Sequence, residues 1–254
     1  MKIILSPAKS INTTFYNASF QGTSPFFLKE AKFLVSKLKK LKPKQLSQLM
    51  HISSDLAELN TIRYKNWTDP VAQSEHVIPS IFAFQGEVYR GFDAISLTEE
   101  DILFANEKIR IISGLYGILL PLTWFQPYRL EMGTKWSPNE KSKNLYQFWG
   151  DKLTKYLNAE MSKDEVLINL ASSEYSKAID FKKLKAKVVS PTFKEFKNGE
   201  YKIVAIFAKH QRGAMARYIV QNKIADPEQL KLYAIDGYSY SENLSTDAEW
   251  VFVR

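Results

Sequence analysis

The sequence predicts a mixed α+β (mixed α/β) fold, in which helices flank a mixed central sheet within a single domain, residues 1–254. Short, apolar, β-branched runs typical of buried strands recur along the chain, as in Ile109–Ile112 and Val166–Leu170. Longer segments with amphipathic helical spacing separate them, beginning with Pro25–Lys40. A chain of 254 residues that is 45% hydrophobic is large enough for one sizeable core. We find no internal repeat or low-complexity tract that would divide it.

Besides the helix at Pro25–Lys40, one strand and a pair of short helices are predicted in the first quarter of the chain. Lys2–Leu5 is an apolar run that predicts the first strand. Proline is typical of a first helical turn, and it opens a short helix over Pro43–Met50. Ser53 is a suitable N-cap for a second helix over Ser54–Tyr64. The two helices predict a helix-hairpin-helix-like element at residues 41–64, although such pairs also serve as plain packing units.

A second buried strand and two helices are predicted in the middle of the chain, on either side of the central strand Ile109–Ile112. Ile81–Phe84 is an apolar run that predicts a second buried strand. Thr98 and the three acidic residues after it are typical of a helix start, and this helix extends to about Glu107. One long amphipathic helix is predicted over Asn144–Met161.

The last quarter predicts a hairpin, a helix and two strands. Asn198-Gly199 is a strong signal for a type I′ turn between strands at Lys187–Phe196 and Glu200–Phe207. The remaining predicted elements are a helix over Gln211–Asn222 and strands at Leu230–Ile235 and Trp250–Val253.

The segment Ile109–Gly133 has the composition of a ligand-binding loop. Its strand breaks at Ser113-Gly114, where glycine lets the backbone turn or approach a ligand closely. Further glycines and prolines keep the chain that follows out of regular structure. Tyr116 supplies an aromatic face, and Arg129 and Glu131 supply opposite charges. Long loops of this kind usually carry a site, although a well-packed crossover loop would share the pattern.

Polar and charged residues follow several of the predicted strands directly. In an open α/β sheet, the loops at the carboxyl ends of the strands gather into one cleft. We therefore expect one cleft to be formed by four loops: Ser6–Lys9, Gln85–Arg90, Ser113–Glu131 and Ser172–Lys177. The cations and carboxylates expected in it are Lys9, Arg129, Lys177, Lys209, Arg212, Arg217, Glu131 and Glu174.

Charge and composition narrow the classes of function. The chain has 35 lysines and arginines against 27 acidic residues, a net charge of +8, which favours a polyanionic partner such as nucleic acid. A basic enzyme would share this balance. The absence of cysteine excludes disulfides, thiolate catalysis and cysteine-ligated metal centres. The histidines show no metal-ligand spacing, so we predict neither a metal site nor a cofactor.

The sequence also bears on cellular location. No apolar run approaches the roughly 20 residues of a membrane-spanning helix. The N-terminus has only a short aliphatic run and reads as a strand rather than a signal peptide. We therefore expect a cytoplasmic protein with no membrane partner.

Taken together, these residues resemble the YaaA family of bacterial peroxide stress resistance proteins. The resemblance spans nearly the whole chain in the family's order, and its most specific part is the long motif SGLYGILLPLTWFQPYRLEMG. The matching segments are Ile4–Lys9, Leu41–Tyr64, Phe84–Gly91, Ser113–Gly133, Leu145–Gly150, Ile168–Tyr175 and Lys209–Ile219.

The resemblance implies a cytoplasmic DNA-binding protein that helps cells survive hydrogen peroxide. It would do so by lowering unincorporated iron and so limiting oxidative damage to DNA. The implied fold is an unusual mixed α/β fold with a helix-hairpin-helix-like element beside a basic cleft, which matches Leu41–Tyr64. The tip of that element, His51–Ser53, lacks the glycines usual in helix-hairpin-helix proteins.

DNA binding is the first function that these observations suggest. Phosphate contacts would make binding to duplex or partly single-stranded DNA largely independent of base sequence, while aromatic rings such as Tyr116 would stack on exposed bases. The residues predicted to contact DNA are Lys9, Lys44, His51, Ser53, Arg63, Arg90, Tyr116, Arg129, Lys177, Lys209, Arg212 and Arg217.

Two alternatives stay open at this point. An enzyme acting on a nucleobase or nucleotide would use Glu131 or Glu174 as general acid or base, with Lys9 and Arg129 holding a small anionic ligand in the cleft. Direct iron binding through carboxylates is the less supported alternative, because the chain lacks cysteine and its histidines are scattered. The sequence favours a binding protein over an enzyme and does not decide whether the protein is also catalytic.

Overall fold

The computed structural model describes residues 1–14, 20–70 and 78–254. The main helices are α1 (Leu28–Leu38), α2 (Pro43–Met50), α3 (Ser54–Asn66), α4 (Ser80–Ala83), α5 (Glu87–Phe92), α6 (Glu99–Lys108), α7 (Leu145–Trp149), α8 (Lys152–Glu160), α9 (Ser173–Ser176) and α10 (Ala205–Gln221). The strands are β1 (Lys2–Leu5), β2 (Ser10–Ile11), β3 (Ile78–Pro79), β4 (Phe84–Gln85), β5 (Ile109–Ser113), β6 (Gly117–Leu119), β7 (Trp124–Phe125), β8 (Val166–Leu170), β9 (Lys187–Lys197), β10 (Glu200–Lys202), β11 (Ser239–Tyr240) and β12 (Glu249–Val253).

A mixed sheet of eight strands has the order β11-β12-β9-β8-β1-β5-β6, with β10 also paired to β9. The strands β5, β1, β8, β9 and β12 run parallel, whereas β6, β10 and β11 pair antiparallel with their neighbours. Ile3 lies opposite Ile109 on one side and Ile168 on the other, which sets the register at the centre. This sheet and its flanking helices confirm the predicted fold class.

The centre of the sheet is also the centre of the hydrophobic core. All five residues of β5 are buried, and Ile3–Leu5 of β1 have no exposed surface. Strands covered on both faces carry continuous apolar runs, so β1 and β5 are recognisable in the sequence. Trp149 is fully buried, and its indole nitrogen donates to the Gly114 carbonyl at 3.0 Å. The loops that leave these strands therefore start from fixed positions.

The helices α2 and α3 form the predicted pair, joined by residues 51–53. Ser53 Oγ accepts a hydrogen bond from the Leu56 amide at 3.4 Å, which confirms the predicted N-cap. His51 adopts the left-handed conformation, with φ 52° and ψ 52°. A side chain in this region costs roughly 1–2 kcal/mol relative to glycine. The turn that glycine usually makes in such hairpins is therefore made here by a histidine.

Two glycines let α5 and α10 approach to backbone contact. A Cβ at Gly213 would lie 1.7 Å from the Val88 carbonyl oxygen, and a Cβ at Gly91 would lie 2.2 Å from the His210 carbonyl oxygen. Only residues without a side chain fit at both positions. This contact holds the start of α5, after the Gly86 hinge, beside the first half of α10.

Two predicted elements in the middle of the chain are wrong in type or length. Ile81–Phe84 belongs largely to the helical turn α4, because four apolar residues do not distinguish a buried strand from one helical turn. The single helix predicted over Asn144–Met161 is divided into α7 and α8. Gly150, with φ 48°, interrupts it, which the apolar periodicity on either side concealed.

The last quarter contains one confirmed turn and three corrections. Asn198 and Gly199 both have positive φ, 55° and 83°, as a type I′ hairpin requires. The strand predicted over Glu200–Phe207 ends at Lys202, and α10 begins at Ala205, earlier than predicted. The strand predicted over Leu230–Ile235 is instead a 3₁₀ helix, Pro227–Leu232, started by Pro227 in its first turn.

The chain after Ser113 is also more regular than predicted, since β6 follows it directly.

Candidate functional site

A cavity of about 550 Å³ lies at the carboxyl ends of β1 and β8. Three of the four loops predicted to meet there contribute to its lining, through Ser6–Lys9, Gln85–Tyr89 and Ser172–Tyr175. The fourth loop borders a small adjoining cavity, where Arg129 and Glu131 face Lys9. Lys9 and Tyr175 line both spaces and so connect them. The structure therefore brings the four strand-end loops together.

Hydrogen bonds between strand ends form the base of this cavity. Ser6 Oγ accepts from the Ser172 amide at 2.8 Å and lies 3.2 Å from Ser172 Oγ, which ties the end of β1 to the end of β8. The Tyr89 hydroxyl donates to the Ser6 carbonyl at 3.0 Å. Burial raises the pKa of Tyr89 well above its usual value, so this hydroxyl stays protonated at neutral pH. The base of the cavity is thus a rigid, uncharged set of hydrogen bonds.

One carboxylate links two of the predicted cations. Glu131 Oε1 lies 3.0 Å from Lys9 Nζ and 3.0 Å from Arg129 Nη2. Lys9 is two-thirds exposed, whereas the side chains of Arg129 and Glu131 are mostly buried. Glu131 therefore neutralises part of the positive charge at this end of the site, and it holds Lys9 at the cavity rim.

The helix α10 contributes two cations to the cavity wall. Lys209 is exposed, while Arg212 is partly buried, and burial lowers the pKa of Arg212 below its usual value. Within residues 1–14, 20–70 and 78–254, the Arg212 guanidinium has no ion-pair or hydrogen-bond partner. Arg212 differs in this from Arg129, whose charge is met by Glu131.

Two carboxylates line the same cavity as these cations. Glu174 Oε1 accepts from the Gly133 amide at 2.9 Å, so the loop of the central segment fixes its position. Glu87, at the first turn of α5, lies 3.0 Å from Arg90 Nη2. The cavity thus presents both signs of charge. Glu174 is predicted from the sequence as a residue of this cleft. Glu87 and Tyr175 are not predicted individually, although they lie in two of the loops expected to form it.

Tyr116 is not at the surface. The ring has no exposed area, and its hydroxyl accepts from Trp67 Nε1 at 2.8 Å and from the Gln126 amide at 3.1 Å. The expectation that Tyr116 stacks on DNA bases is therefore wrong in this fold. Aromatic residues in a glycine-rich loop serve a core as well as they serve a site, and the sequence does not distinguish the two uses.

Three further predicted cations lie outside the cavity lining. Arg217 donates to the carbonyl oxygens of Phe92 and Asp93 at 2.9 and 2.7 Å, so it joins α10 to the end of α5. The prediction that Arg217 lies in the cleft is therefore wrong. Arg90 is exposed and paired with Glu87. Lys177 is exposed at the C-terminal end of α9. Helical spacing alone did not show which side of α10 faces the cleft.

The residues predicted on the helix pair form a separate group. His51 and Ser53 are exposed at the turn between α2 and α3, and Lys44 is exposed at the start of α2. Arg63, on the last turns of α3, lines a second cavity of about 260 Å³ with Pro127, and burial lowers its pKa. The Tyr64 hydroxyl donates to the Arg129 carbonyl, which ties the end of α3 to the loop beside the main cavity.

The described residues contain neither a group of side chains suited to a metal ion nor a helix that could span a membrane. Within residues 1–14, 20–70 and 78–254, no three or more His, Cys, Asp or Glu side chains are grouped so that they could hold a metal ion. Over the same ranges, every helix is too short or too polar to cross a bilayer.

Comparison with known proteins places the chain in a family. The family model described as peroxide stress protein YaaA matches residues 1–244. The chain belongs to the peroxide stress protein YaaA family. Curated relatives of this chain are named UPF0246 proteins, and the three described below align over 98% to 100% of their own length. The relative from Flavobacterium psychrophilum (strain ATCC 49511 / DSM 21280 / CIP 103535 / JIP02/86) is 48% identical, with 100% of both chains covered.

Two further relatives come from other bacteria. The UPF0246 protein of Ralstonia pickettii (strain 12J) is 47% identical, covering 100% of this chain and 99% of that protein. The UPF0246 protein of Neisseria meningitidis serogroup A (serotype 4A, strain DSM 15465 / Z2491) is 43% identical, covering 100% of this chain and 98% of that protein. The resemblance inferred from the motifs is therefore confirmed, and the YaaA family connects this chain to peroxide stress.

Proposed function

We propose that this protein is a cytoplasmic DNA-binding protein of the peroxide stress response, which limits unincorporated iron and thereby reduces oxidative damage to DNA. Its membership of the YaaA family supports the stress role. The observation that carries DNA binding is Arg212, a cavity-lining guanidinium with no ion-pair partner among the described residues. The net charge of +8 acts in the same direction.

An unpaired guanidinium that is partly removed from water favours an anionic ligand. The free-energy cost of desolvating the charge is offset when a counter-ion binds. The planar guanidinium suits phosphate in particular, because it donates two parallel hydrogen bonds to two oxygens. Lys9 and Lys209 line the same cavity and extend the attraction to neighbouring phosphates.

The size of the cavity limits which part of the DNA enters it. A volume of about 550 Å³ is in the range that accommodates a ligand of nucleotide size and is too small for a duplex. In this proposal a phosphate and its nucleotide occupy the cavity, and the rest of the DNA lies across the exposed surface around it. No base edge is read, so binding is largely independent of sequence.

The helix pair supplies a second set of phosphate contacts in this proposal. His51 is exposed at the turn that precedes α3, Lys44 is exposed at the start of α2, and the first backbone amides of α3 have no carbonyl partner within their helix. The 13 residues of α3 span roughly 20 Å. Because Tyr64 ties the other end of α3 to the loop beside the cavity, the two sets of contacts lie about one helix length apart.

Titration of labelled DNA tests this proposal. Duplex, forked and single-stranded DNA of unrelated sequences are titrated with the purified protein at two salt concentrations. We expect similar affinity for unrelated sequences and a loss of affinity as salt rises, because phosphate contacts release counter-ions. The absence of binding at the lower salt concentration contradicts the proposal. The iron effect is tested by electron paramagnetic resonance of unincorporated iron in peroxide-treated cells with and without the protein.

A second candidate function is an enzyme that acts on a nucleobase or nucleotide in the same cavity. The observation in its favour is Glu174, a carboxylate fixed by the Gly133 amide and facing the same space as Arg212. A carboxylate near an anion-binding cation has the arrangement of a general base beside a substrate phosphate. The Glu174→Gln variant separates the two functions. Catalysis requires that it fails to protect a deletion strain from peroxide while binding DNA normally, whereas DNA binding alone predicts full protection.

A further inference from the structure

The strand β9 extends past the end of β8, at the edge where the cavity lies, and stays paired with β12 as far as Lys194. Its pairing with β8 places Ile168 opposite Val189, so Leu170, the last residue of β8, falls opposite Pro191. The chain continues as a strand from Thr192 to Lys197, six residues and roughly 20 Å further. There β10 replaces β8 as its partner, with Tyr201 opposite Phe196. The β9–β10 hairpin therefore projects past the carboxyl end of β8.

The hairpin carries exposed aromatic rings. Phe196 is 60% exposed and Tyr201 is 42% exposed, and their ring centroids lie 5.1 Å apart at 61°. Directly opposite residues in an antiparallel pair share one face, so both rings stand on the same side of the hairpin. Ile203, which follows β10, is 57% exposed. Folding alone gives no reason for large apolar side chains to gather on the surface at one place.

Two unpaired lysines lie close to these rings along the strand. Lys194 and Lys197 have no ion-pair partner in the described parts of the chain, whereas Lys202 pairs with Glu200 at 2.6 Å. Alternation along the strand puts Lys194 on the same face as Phe196. The nearby Glu195 faces inward, where it is mostly buried and meets Arg254 at 3.2 Å. Cations interleaved with exposed aromatics are the pattern that proteins use to bind unpaired nucleic acid strands.

The hairpin leads directly into the wall of the cavity. Two residues separate the end of β10 from the start of α10, and the first turns of α10 carry Lys209 and Arg212 into the cavity lining. A strand lying along the hairpin would therefore continue toward the proposed phosphate site. This continuity, together with the two unpaired lysines, favours a polyanion over a protein partner for the exposed rings.

We propose that the hairpin Lys194–Lys202 is a stacking arm for unpaired bases of DNA. The bases stack on Phe196 and Tyr201, and Lys194, on the same face of the hairpin, contacts the phosphate between them. Paired bases within a duplex hide their faces, so the arm acts on single-stranded or forked DNA only. This inference depends on the proposed function and adds to it a preference for DNA with an unpaired segment.

The double variant Phe196→Ala/Tyr201→Ala tests the stacking arm. Its affinity is measured for a single strand, a fork and a blunt duplex, with 2-aminopurine in the unpaired segment to report stacking. We expect affinity for the single strand and fork to fall about 30-fold or more, since each of the two stacked bases is worth about 1–3 kcal/mol and about 1.4 kcal/mol is a factor of ten. We also expect the duplex affinity to be unchanged and the quenching of 2-aminopurine to be lost. The control is Ile95→Ala/Leu232→Ala, which removes two residues that are 68% and 75% exposed elsewhere.

A leucine variant separates ring stacking from general apolar contact. Phe196→Leu/Tyr201→Leu keeps apolar side chains and is expected to lose as much affinity for the single strand as the alanine variant. Unchanged affinity in both variants, or an equal loss on the blunt duplex, overturns the stacking arm. A wild-type protein that binds duplex but not unpaired DNA also overturns it and leaves the proposed function intact. A dimer in sedimentation velocity that the alanine variant converts to monomer overturns it in favour of self-association.

Discussion

Gly213 of α10 lies directly against the Val88 carbonyl of α5, at a spacing that leaves no room for even a methyl group. This contact has a functional consequence, because α10 carries Lys209 and Arg212 while the turn before α5 carries Gln85 and Gly86 on the facing side of the cavity. The separation of the two helices therefore sets the width of the proposed phosphate site.

The Gly213→Ala variant tests this contact through the sign of its effect on stability. Helix propensity alone predicts a gain, since alanine is favoured over glycine within a helix by about 1 kcal/mol. Close packing predicts a loss of about 1–3 kcal/mol in the free energy of unfolding, because the helices must separate. We expect the loss, measured by urea denaturation, together with weaker DNA binding. A stabilised variant with normal DNA binding would show that the two helices are not held at this spacing.

Replacing Glu131 tests whether this carboxylate neutralises part of the positive charge of the site. In Glu131→Gln, both Lys9 and Arg129 lose their counter-charge. We expect DNA affinity at low salt to rise a few-fold, because a negative charge near the phosphates is removed. We also expect the free energy of unfolding to fall by about 1 kcal/mol or more, because Arg129 is mostly buried. The control is Glu228→Gln, whose carboxylate pairs with Lys231 at 2.7 Å. Weaker DNA binding by Glu131→Gln would mean that this carboxylate organises the site instead.

An ion pair between Asp101 of α6 and Lys223, which follows the end of α10, predicts a pH-dependent contribution to stability. Burial acts to raise the pKa of Asp101, but hydrogen bonds from Lys223 and Thr98 outweigh it and leave the pKa below its usual value. A carboxylate with a lowered folded-state pKa stabilises the fold above its unfolded pKa of about 4, and the contribution disappears as the pH falls through the folded-state value. We expect Asp101→Asn to cost about 1 kcal/mol at pH 7 and almost nothing at the acid end of the range.

Urea titrations from pH 7 to pH 3 measure this difference. The matched control is Asp164→Asn, which removes an exposed carboxylate that has no ion pair among the described residues. A cost for Asp101→Asn that is the same at every pH would mean that the hydrogen-bond geometry, and not the charge, provides the stabilisation.

The sequence predicted elements whose signals are local. Ser53 and Thr98 cap helices as their side chains allow, and Asn198-Gly199 forms the turn that positive φ at both residues permits. The burial of β1 on both faces follows from its unbroken apolar run. Gathering of the strand-end loops also followed from a general property of parallel strands.

Features that depend on the third dimension were not predictable from local patterns. Nothing in the spacing of α10 distinguishes Arg212, which faces the cavity, from Arg217, which donates to backbone oxygens of α5. Tyr116 is buried because Trp67, far away in sequence, covers its hydroxyl. Gly150 divides a helix whose apolar positions continue on both sides. In each case the deciding partner is remote in sequence or the deciding feature is a backbone angle.

Charge removal at Arg212 tests the central proposal most directly. The salt dependence of duplex binding is measured for wild-type protein, for Arg212→Gln and for Lys163→Gln. Lys163 is an exposed lysine with no ion-pair partner among the described residues, and it lies near the amino end of β8, at the opposite edge of the sheet. The account predicts that Arg212→Gln reduces the slope of log affinity against log salt by about one, with clearly weaker binding at every salt concentration, while Lys163→Gln matches wild type. Equal slopes and affinities for all three proteins would contradict a phosphate site at Arg212.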